Sequence, residues 1–98
     1  MSGDSLSLDD SVVVDEHVVF RELDGETVIL NLGTGNYFGL DDVGTRMWTL
    51  MREHQVLRTV LGVLLTEYDV SSETLQTDLL QLTEQLQVNG LAHLKRAG

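Results

Sequence analysis

The sequence predicts an α+β domain in which a three-stranded antiparallel β-sheet is followed by three α-helices. Two patterns support this prediction. Short β-branched and aromatic runs, beginning with three valines at 12–14, fill positions 11–40, whereas apolar residues recur at three- and four-residue spacing from position 43 onward. Because the strands precede the helices, the helices are expected to cover one face of a single sheet. With 98 residues the chain has room for one such domain.

The predicted strands lie between clear turn signals. Asp24-Gly25 separates the runs at 18–23 and 27–32, and this dipeptide is typical of a tight hairpin because glycine adopts positive φ without a steric penalty. A glycine-rich turn then leads into a third strand at 36–40. Strand alternation predicts that the following residues face inward: Phe20, Val28, Leu30, Phe38 and Leu40.

The first two predicted helices follow the sheet directly. Either Asp41 or Asp42 can cap the first helix, whose apolar residues recur at helical spacing until near His54. The second helix fits positions 57–67, where one face is apolar throughout, although Gly62 within it weakens the helical preference slightly.

The third predicted helix is the longest. Ser71 or Ser72 begins it, and Asn89-Gly90 ends it because glycine readily adopts the left-handed conformation found at helix C-termini. Leucines recur along one face of this helix and are expected to complete the core: Leu75, Leu79, Leu82 and Leu86. A short final strand is predicted at 91–94.

The two ends of the chain are predicted to lie outside the folded domain, which spans 11–94. Residues 1–10 are polar and acidic and predict a flexible tail, and residues 95–98 are expected to be frayed. The N-terminus has neither a basic segment nor a long apolar run, so no signal peptide or membrane span is expected. The lack of cysteine is compatible with a reducing compartment, and the expected location is the cytoplasm.

The charge of the chain argues against two classes of partner. Six Lys and Arg residues against sixteen Asp and Glu residues give a formal net charge of −10. Such a chain repels the phosphate backbone of nucleic acids and anionic lipid headgroups. Nucleic acid and membrane surfaces are therefore not expected as partners.

No constellation of residues in the sequence indicates catalysis, a metal ion or a cofactor. Asp41 and Asp42 lie where a strand passes into a helix, and capping is a commoner role there than acid–base catalysis. The three histidines lack the short paired spacing of zinc ligands. Gly33 and Gly35 precede a strand that contains Gly39, whereas a phosphate-binding loop precedes a helix. The sequence therefore predicts a protein that is not an enzyme.

Two stretches of the sequence carry a family pattern. The first is LDGETVILNLGTGNYFGLDDVGTRMWTL at 23–50, in which GNYFGL followed at once by DDVGTRMWTL is the most specific part. The second is LLTEYDVSSETLQTDLLQLTEQLQVNGL at 64–91. Together they resemble the PqqD family, small peptide chaperones of pyrroloquinoline quinone biosynthesis that are grouped as RiPP recognition elements. The resemblance extends from about residue 12 to residue 94.

The resemblance implies a winged helix-turn-helix fold that binds peptides instead of DNA. Members of the family bind the leader segment of a ribosomally made precursor peptide. The leader adds as a further strand at the edge of the third strand and lies in a groove against the third helix. The complex then presents the precursor to a modifying enzyme, such as a radical SAM protein, a leader protease or a cyclase.

The resemblance also implies which residues of the third strand bind the peptide. They are Asn36, Tyr37, Phe38, Gly39 and Leu40. Neighbouring residues of a strand point to opposite faces, so one of Tyr37 and Phe38 is expected in the core and the other against the leader.

The third helix has two flanks beside its leucine stripe, and either can line the groove. One flank carries Leu80, Thr83 and Gln87. The other carries Asp78, Gln81 and Gln85. We expect the first flank to line the groove, because Leu80 is an apolar residue off the core face. Packing of Leu80 on a neighbouring helix is an equal alternative.

The sequence leaves two other functions open. The first is a winged-helix transcriptional regulator, which the acidic third helix disfavours because Glu73, Asp78 and Glu84 are accompanied by no Lys or Arg. The second is an adaptor that pairs its exposed strand edge with a second copy of itself, which would make the protein a homodimer.

Overall fold

The computed structural model describes residues 7–96. The elements follow in this order: β1 (Ser11–Val14), β2 (Val18–Leu23), β3 (Glu26–Asn31), β4 (Tyr37–Leu40), α1 (Asp42–His54), α2 (Leu57–Glu67), α3 (Ser72–Val88) and β5 (Ala92–Lys95). Strands β2, β3 and β4 form an antiparallel three-stranded sheet, and the helices follow it. The predicted α+β class is therefore confirmed. Within residues 7–96, no helix has the length and apolarity needed to cross a membrane.

The first and last strands form a second, two-stranded sheet. β1 pairs antiparallel with β5, from Ser11 opposite Lys95 to Val14 opposite Ala92. The valine run is thus a strand as predicted, and the final strand lies one residue later than the predicted 91–94. Because Lys95 belongs to β5, the prediction of a frayed end is wrong at that residue. The last two residues lie outside the described range.

Residues 7–10 pack against the start of α2, so the predicted flexible tail is wrong over this part. The amide of Leu57 donates to the carbonyl of Asp10 at 3.1 Å, and the amide of Arg58 donates to the carbonyl of Leu8 at 2.7 Å. These carbonyls satisfy the first amides of α2, which has no side-chain cap. The rest of the predicted tail, residues 1–6, lies outside the described residues.

Local signals determine the hairpin and the helix ends as predicted. Asp24 and Gly25 both have positive φ, 56° and 80°, as a type I′ turn requires. The Asp41 carboxylate caps α1 and the Ser71 hydroxyl caps α3, each by accepting a hydrogen bond from an amide in the first turn. Gly90 follows the end of α3 with a φ of 72°.

The hydrophobic core lies between the three-stranded sheet and the helices. The predicted leucine stripe of α3 is buried and packs with apolar side chains of α1 and α2. The largest fully buried side chains are Trp48, Ile29, Met47, Leu50, Met51, Leu57, Leu64, Leu79, Leu86 and Leu91. The leucine stripe thus fixes α3 against the core.

The inward face of β3 differs from the prediction. Ile29 is fully buried and pairs with Phe20 on β2 and with Phe38 on β4. Val28 is 54% exposed, and Leu30 lies on the same outer face because strand side chains alternate. The predicted inward orientation of Val28 and Leu30 is therefore wrong. A shift of one residue in phase moves every side chain of a strand to the other face.

Polar residues occupy the other inward positions of β3. Thr27 and Asn31 are both buried. The hydroxyl oxygens of Thr27 and Thr45 lie 2.9 Å apart and share a hydrogen bond that joins the sheet to α1. Burial of a polar group costs little when it is hydrogen-bonded. Hydrophobicity alone therefore points to the wrong face of this strand.

A groove between strand β4 and helix α3

Strand β4 has an unpaired edge. It pairs with β3 from Leu30 opposite Tyr37 to Thr27 opposite Leu40, and it is the last strand in the order β2-β3-β4. No other strand in the described part of the chain pairs with its outer edge. The edge therefore presents backbone N–H and C=O groups with which an extended peptide can pair.

A groove with a volume of about 590 Å³ runs along this edge. Its floor is apolar and consists of Phe38, Leu40, Val43, Met47 and Leu82. Its wall on the side of α3 is polar and consists of Asp78, Gln81 and Gln85. The groove thus combines a free strand edge with apolar pockets and hydrogen-bonding groups, which together suit an extended peptide.

The two aromatic residues of β4 point to opposite faces, as predicted. Phe38 lines the groove and packs against the core, so it is half-buried. Tyr37 is 72% exposed on the outer face of the sheet. A peptide paired with β4 would therefore meet Phe38 on the groove side and Tyr37 on the outer side.

The flank of α3 that lines the groove is not the expected one. Leu80, Thr83 and Gln87 are all absent from the groove lining. Thr83 is 1% exposed, and its hydroxyl donates to the carbonyl of Leu79 at 2.8 Å. Leu80 is half-buried and packs against the core cluster, as the alternative interpretation predicts. The expectation that this flank lines the groove is therefore wrong. The opposite flank, with Asp78, Gln81 and Gln85, lines it.

Two asparagines hold the end of α3 against the turn before β4. The Asn31 side-chain amide donates to the carbonyl of Gly90 at 2.6 Å, while its oxygen accepts from the amides of Gly33 and Thr34 at 2.8 and 3.1 Å. The Asn36 side-chain amide donates to the Asn89 carbonyl at 3.2 Å. Sequence reasoning missed the role of Asn31, although an asparagine shortly before a glycine-rich stretch, here Asn31-Leu-Gly-Thr-Gly35, is a signal for a side-chain-stabilised turn.

These asparagine contacts define the direction of α3 along β4. The C-terminal end of α3 lies at Asn36, which immediately precedes β4. The helix therefore runs opposite to the strand, with Gln85 toward Phe38 and Asp78 toward Leu40.

The electrostatic character of the groove is acidic. Asp41 and Asp78 contribute carboxylates, and no Lys, Arg or His lines the groove. Asp41 accepts a hydrogen bond from the amide of Gly44 at 2.8 Å as the cap of α1. Within residues 7–96, no hydrogen bond or ion pair involves the carboxylate of Asp78. This carboxylate is therefore available to a ligand.

The ion pair with clear pKa shifts lies outside the groove. Arg46 Nε donates to Glu67 Oε1 at 2.8 Å and joins α1 to the end of α2. Hydrogen bonding between the two side chains lowers the pKa of Glu67 and raises the pKa of Arg46. Because neither residue lines the groove, this pair stabilises the helices and has no direct contact with a bound peptide.

A second concavity lies beside β1 and is formed by Val13, Val14, Asp15, Glu16, His17 and His93. The backbone amide of His17 donates to the Asp15 carboxylate at 2.9 Å, and this hydrogen bond is the main cause of a lowered Asp15 pKa. No group of His, Asp and Glu residues within 7–96 has the arrangement of a metal site. β1, the strand beside this concavity, pairs with β5 on one side and forms an isolated bridge from Ser11 to Val56.

Comparisons with known proteins identify the family. The family model of coenzyme PQQ synthesis protein D (PqqD) matches residues 26–92, so the chain belongs to the PqqD family. A solved structure of TbiB1 in complex with the TbiA(beta) leader peptide is 34% identical to this chain with a TM-score of 0.79, and the match covers 88% of this chain and 99% of TbiB1.

A second solved structure, lasso peptide synthetase B1 complexed with the leader peptide, has the same fold. It is 22% identical with a TM-score of 0.66, and the match covers 85% of this chain and 98% of that protein. No curated protein gives a significant match. The predicted arrangement of a three-stranded sheet and three helices in a winged helix-turn-helix-like fold is thus confirmed.

Proposed function

We propose that this protein binds the leader segment of a ribosomally made precursor peptide by adding it as a strand to β4. The observation that carries the proposal is the unpaired β4 edge beside the groove at α3. Membership of the PqqD family and the likeness to TbiB1, which is solved with a leader peptide, support it. Asn36 to Leu40 supply the strand side of the site, and Asp78, Gln81 and Gln85 supply the helix side.

The groove is needed because backbone pairing alone binds too weakly. A strand of four residues such as β4 can form only a few backbone hydrogen bonds, each worth about 0.5–1.5 kcal/mol net. A micromolar complex requires about 8 kcal/mol, and ordering a flexible leader adds several kcal/mol of cost. Apolar side chains of the leader in the groove would supply the difference, since each buried one contributes about 1.5–3 kcal/mol.

The role we propose is presentation and not catalysis. The protein holds the leader while a larger enzyme acts on the rest of the precursor. The enzyme classes that the family suggests are a radical SAM protein, a leader protease and a cyclase. The likeness to lasso peptide synthetase B1 is one of fold, and the relation to TbiB1 favours a peptide natural-product pathway over pyrroloquinoline quinone biosynthesis.

Titration of the ¹⁵N-labelled protein with synthetic TbiA(beta) leader peptide tests the proposal. We expect the amides of 36–40 to shift with micromolar affinity or better, and the amides of β2, at the opposite edge of the same sheet, to serve as the internal control. Phe38→Pro is expected to abolish binding, because proline disrupts β4 and removes the ring of Phe38 from the groove lining. Unchanged amides at 36–40 at saturating peptide would contradict the proposal.

A further inference from the structure

Resting on the proposed function, we propose that the groove selects a segment carrying Lys or Arg beside the Leu40 end and an apolar residue beside Phe38. The two positions are two residues apart in the bound strand, because side chains on one face of a strand alternate with those on the other. The groove would thus distinguish leaders by charge as well as by shape.

The polarity of the groove changes along its length. At the end near Leu40 lie the carboxylates of Asp41 and Asp78, whereas the end near Phe38 faces the uncharged amide of Gln85. The hydrogen bond from Asn36 to the Asn89 carbonyl places the C-terminal end of α3 beside the start of β4, so Gln85 lies nearer to that end of the groove than Asp78 does. A guest strand therefore meets negative charge at one end only.

The local charge favours a cation despite the nearby helix terminus. The N-terminus of α1 carries about half a positive charge from the helix dipole, but two carboxylates line the same end of the groove. The amide of Gly44 is already satisfied by the Asp41 side chain, so the terminus has one fewer donor for an anion. With a net charge of −10 on the whole chain, an acidic guest would be repelled at this position.

The shape of the groove suits a long basic side chain. The apolar side chains of Leu40, Val43 and Met47 form its floor at the acidic end. Lys and Arg cover apolar surface with their methylene stems while the charged group remains at the polar rim. The stem would lie on this floor and the charged group would reach Asp78 or Asp41.

Selection from a displayed library of random twelve-residue peptides tests this proposal with the intact chain. We expect peptides enriched by the wild-type protein to carry Lys or Arg two positions from an apolar residue. With Asp78→Lys, the enrichment of Lys and Arg should be lost, because the new ammonium group offsets the remaining Asp41 carboxylate. Glu84→Lys is the matched control, since it makes the same charge change on the outer side of α3, away from the groove, and should leave the basic preference intact.

Asp78→Asn provides a second test that does not reverse a charge. Resynthesised Lys-containing peptides should bind this variant about 3- to 30-fold more weakly than they bind the wild type. This loss lies between the typical contribution of an exposed ion pair and that of a charge-assisted hydrogen bond. Peptides that shift the β4 amides but show no basic preference would overturn this proposal alone. If the wild-type protein enriches no peptide that shifts those amides, the proposed function fails together with it.

Discussion

A tryptophan scan of the two flanks of α3 tests which side of the helix contacts the leader. Gln85 lines the groove and Gln87 does not, and both side chains are exposed on the same helix. Gln85→Trp places an indole where the leader's side chain beside Phe38 would lie, whereas Gln87→Trp adds the same bulk on the flank with Leu80. Because the substitution is identical, the two variants share the small cost in helix propensity.

The expected size of the effect follows from the groove. The indole of Gln85→Trp would displace one apolar anchor worth about 1.5–3 kcal/mol, which corresponds to roughly 10- to 150-fold weaker binding. Gln87→Trp should bind within about twofold of the wild type, since surface substitutions away from a site have small effects. Fluorescence anisotropy with a labelled TbiA(beta) leader peptide measures both constants. Equal weakening by both variants, or weakening by Gln87→Trp alone, would refute the assignment of the groove.

Four further predictions concern stability and partners. Asn31→Ala should lower the free energy of unfolding by about 2–4 kcal/mol in urea, because it removes three partly buried hydrogen bonds; an unchanged urea midpoint would count against this role. Thr27→Val should cost about 1–3 kcal/mol by leaving the Thr45 hydroxyl unsatisfied, and the double change to valine should cost less than the single one. The Glu67 pKa lies below its ordinary value of 4.5, so the stabilisation from its pair with Arg46 should be complete above pH 4.5 and be lost as the pH falls through the lowered pKa. In Arg46→Met, the urea midpoint should fall less than in the wild type as the pH decreases over that range. If the midpoints of the two proteins fall in parallel with pH, the pair makes no contribution to stability. A gel-shift assay with genomic DNA fragments at low salt should show no retardation, because α3 carries no Lys or Arg.

The elements that sequence predicted well are those set by neighbouring residues. The helix bounds follow from Asp41, Ser71 and Gly90, whose capping roles depend on a few adjacent positions. The hairpin likewise follows from the positive φ of Asp24 and Gly25. The family pattern at 23–50 and 64–91 supplied the strand proposed to bind the leader, which hydrophobic periodicity alone would not have singled out.

The features that sequence missed depend on contacts between distant segments. Thr27 faces inward because its hydroxyl meets Thr45, eighteen residues later. The end of α3 is held against the turn before β4 by the hydrogen bond from Asn31 to Gly90, fifty-nine residues away. Residues 7–10 are ordered by backbone hydrogen bonds to α2, which leave no mark in side-chain composition. Each of these contacts joins residues whose partners cannot be identified from local patterns.

The most direct measurement is the set of intermolecular nuclear Overhauser effects between the labelled protein and bound TbiA(beta) leader peptide. If the leader extends the sheet, cross-strand contacts should link successive peptide backbone protons to Tyr37 through Leu40, with peptide side chains near Gln81 and Gln85. Contacts confined to β2, to the concavity beside β1 or to the Leu80 flank of α3 would contradict strand addition at β4.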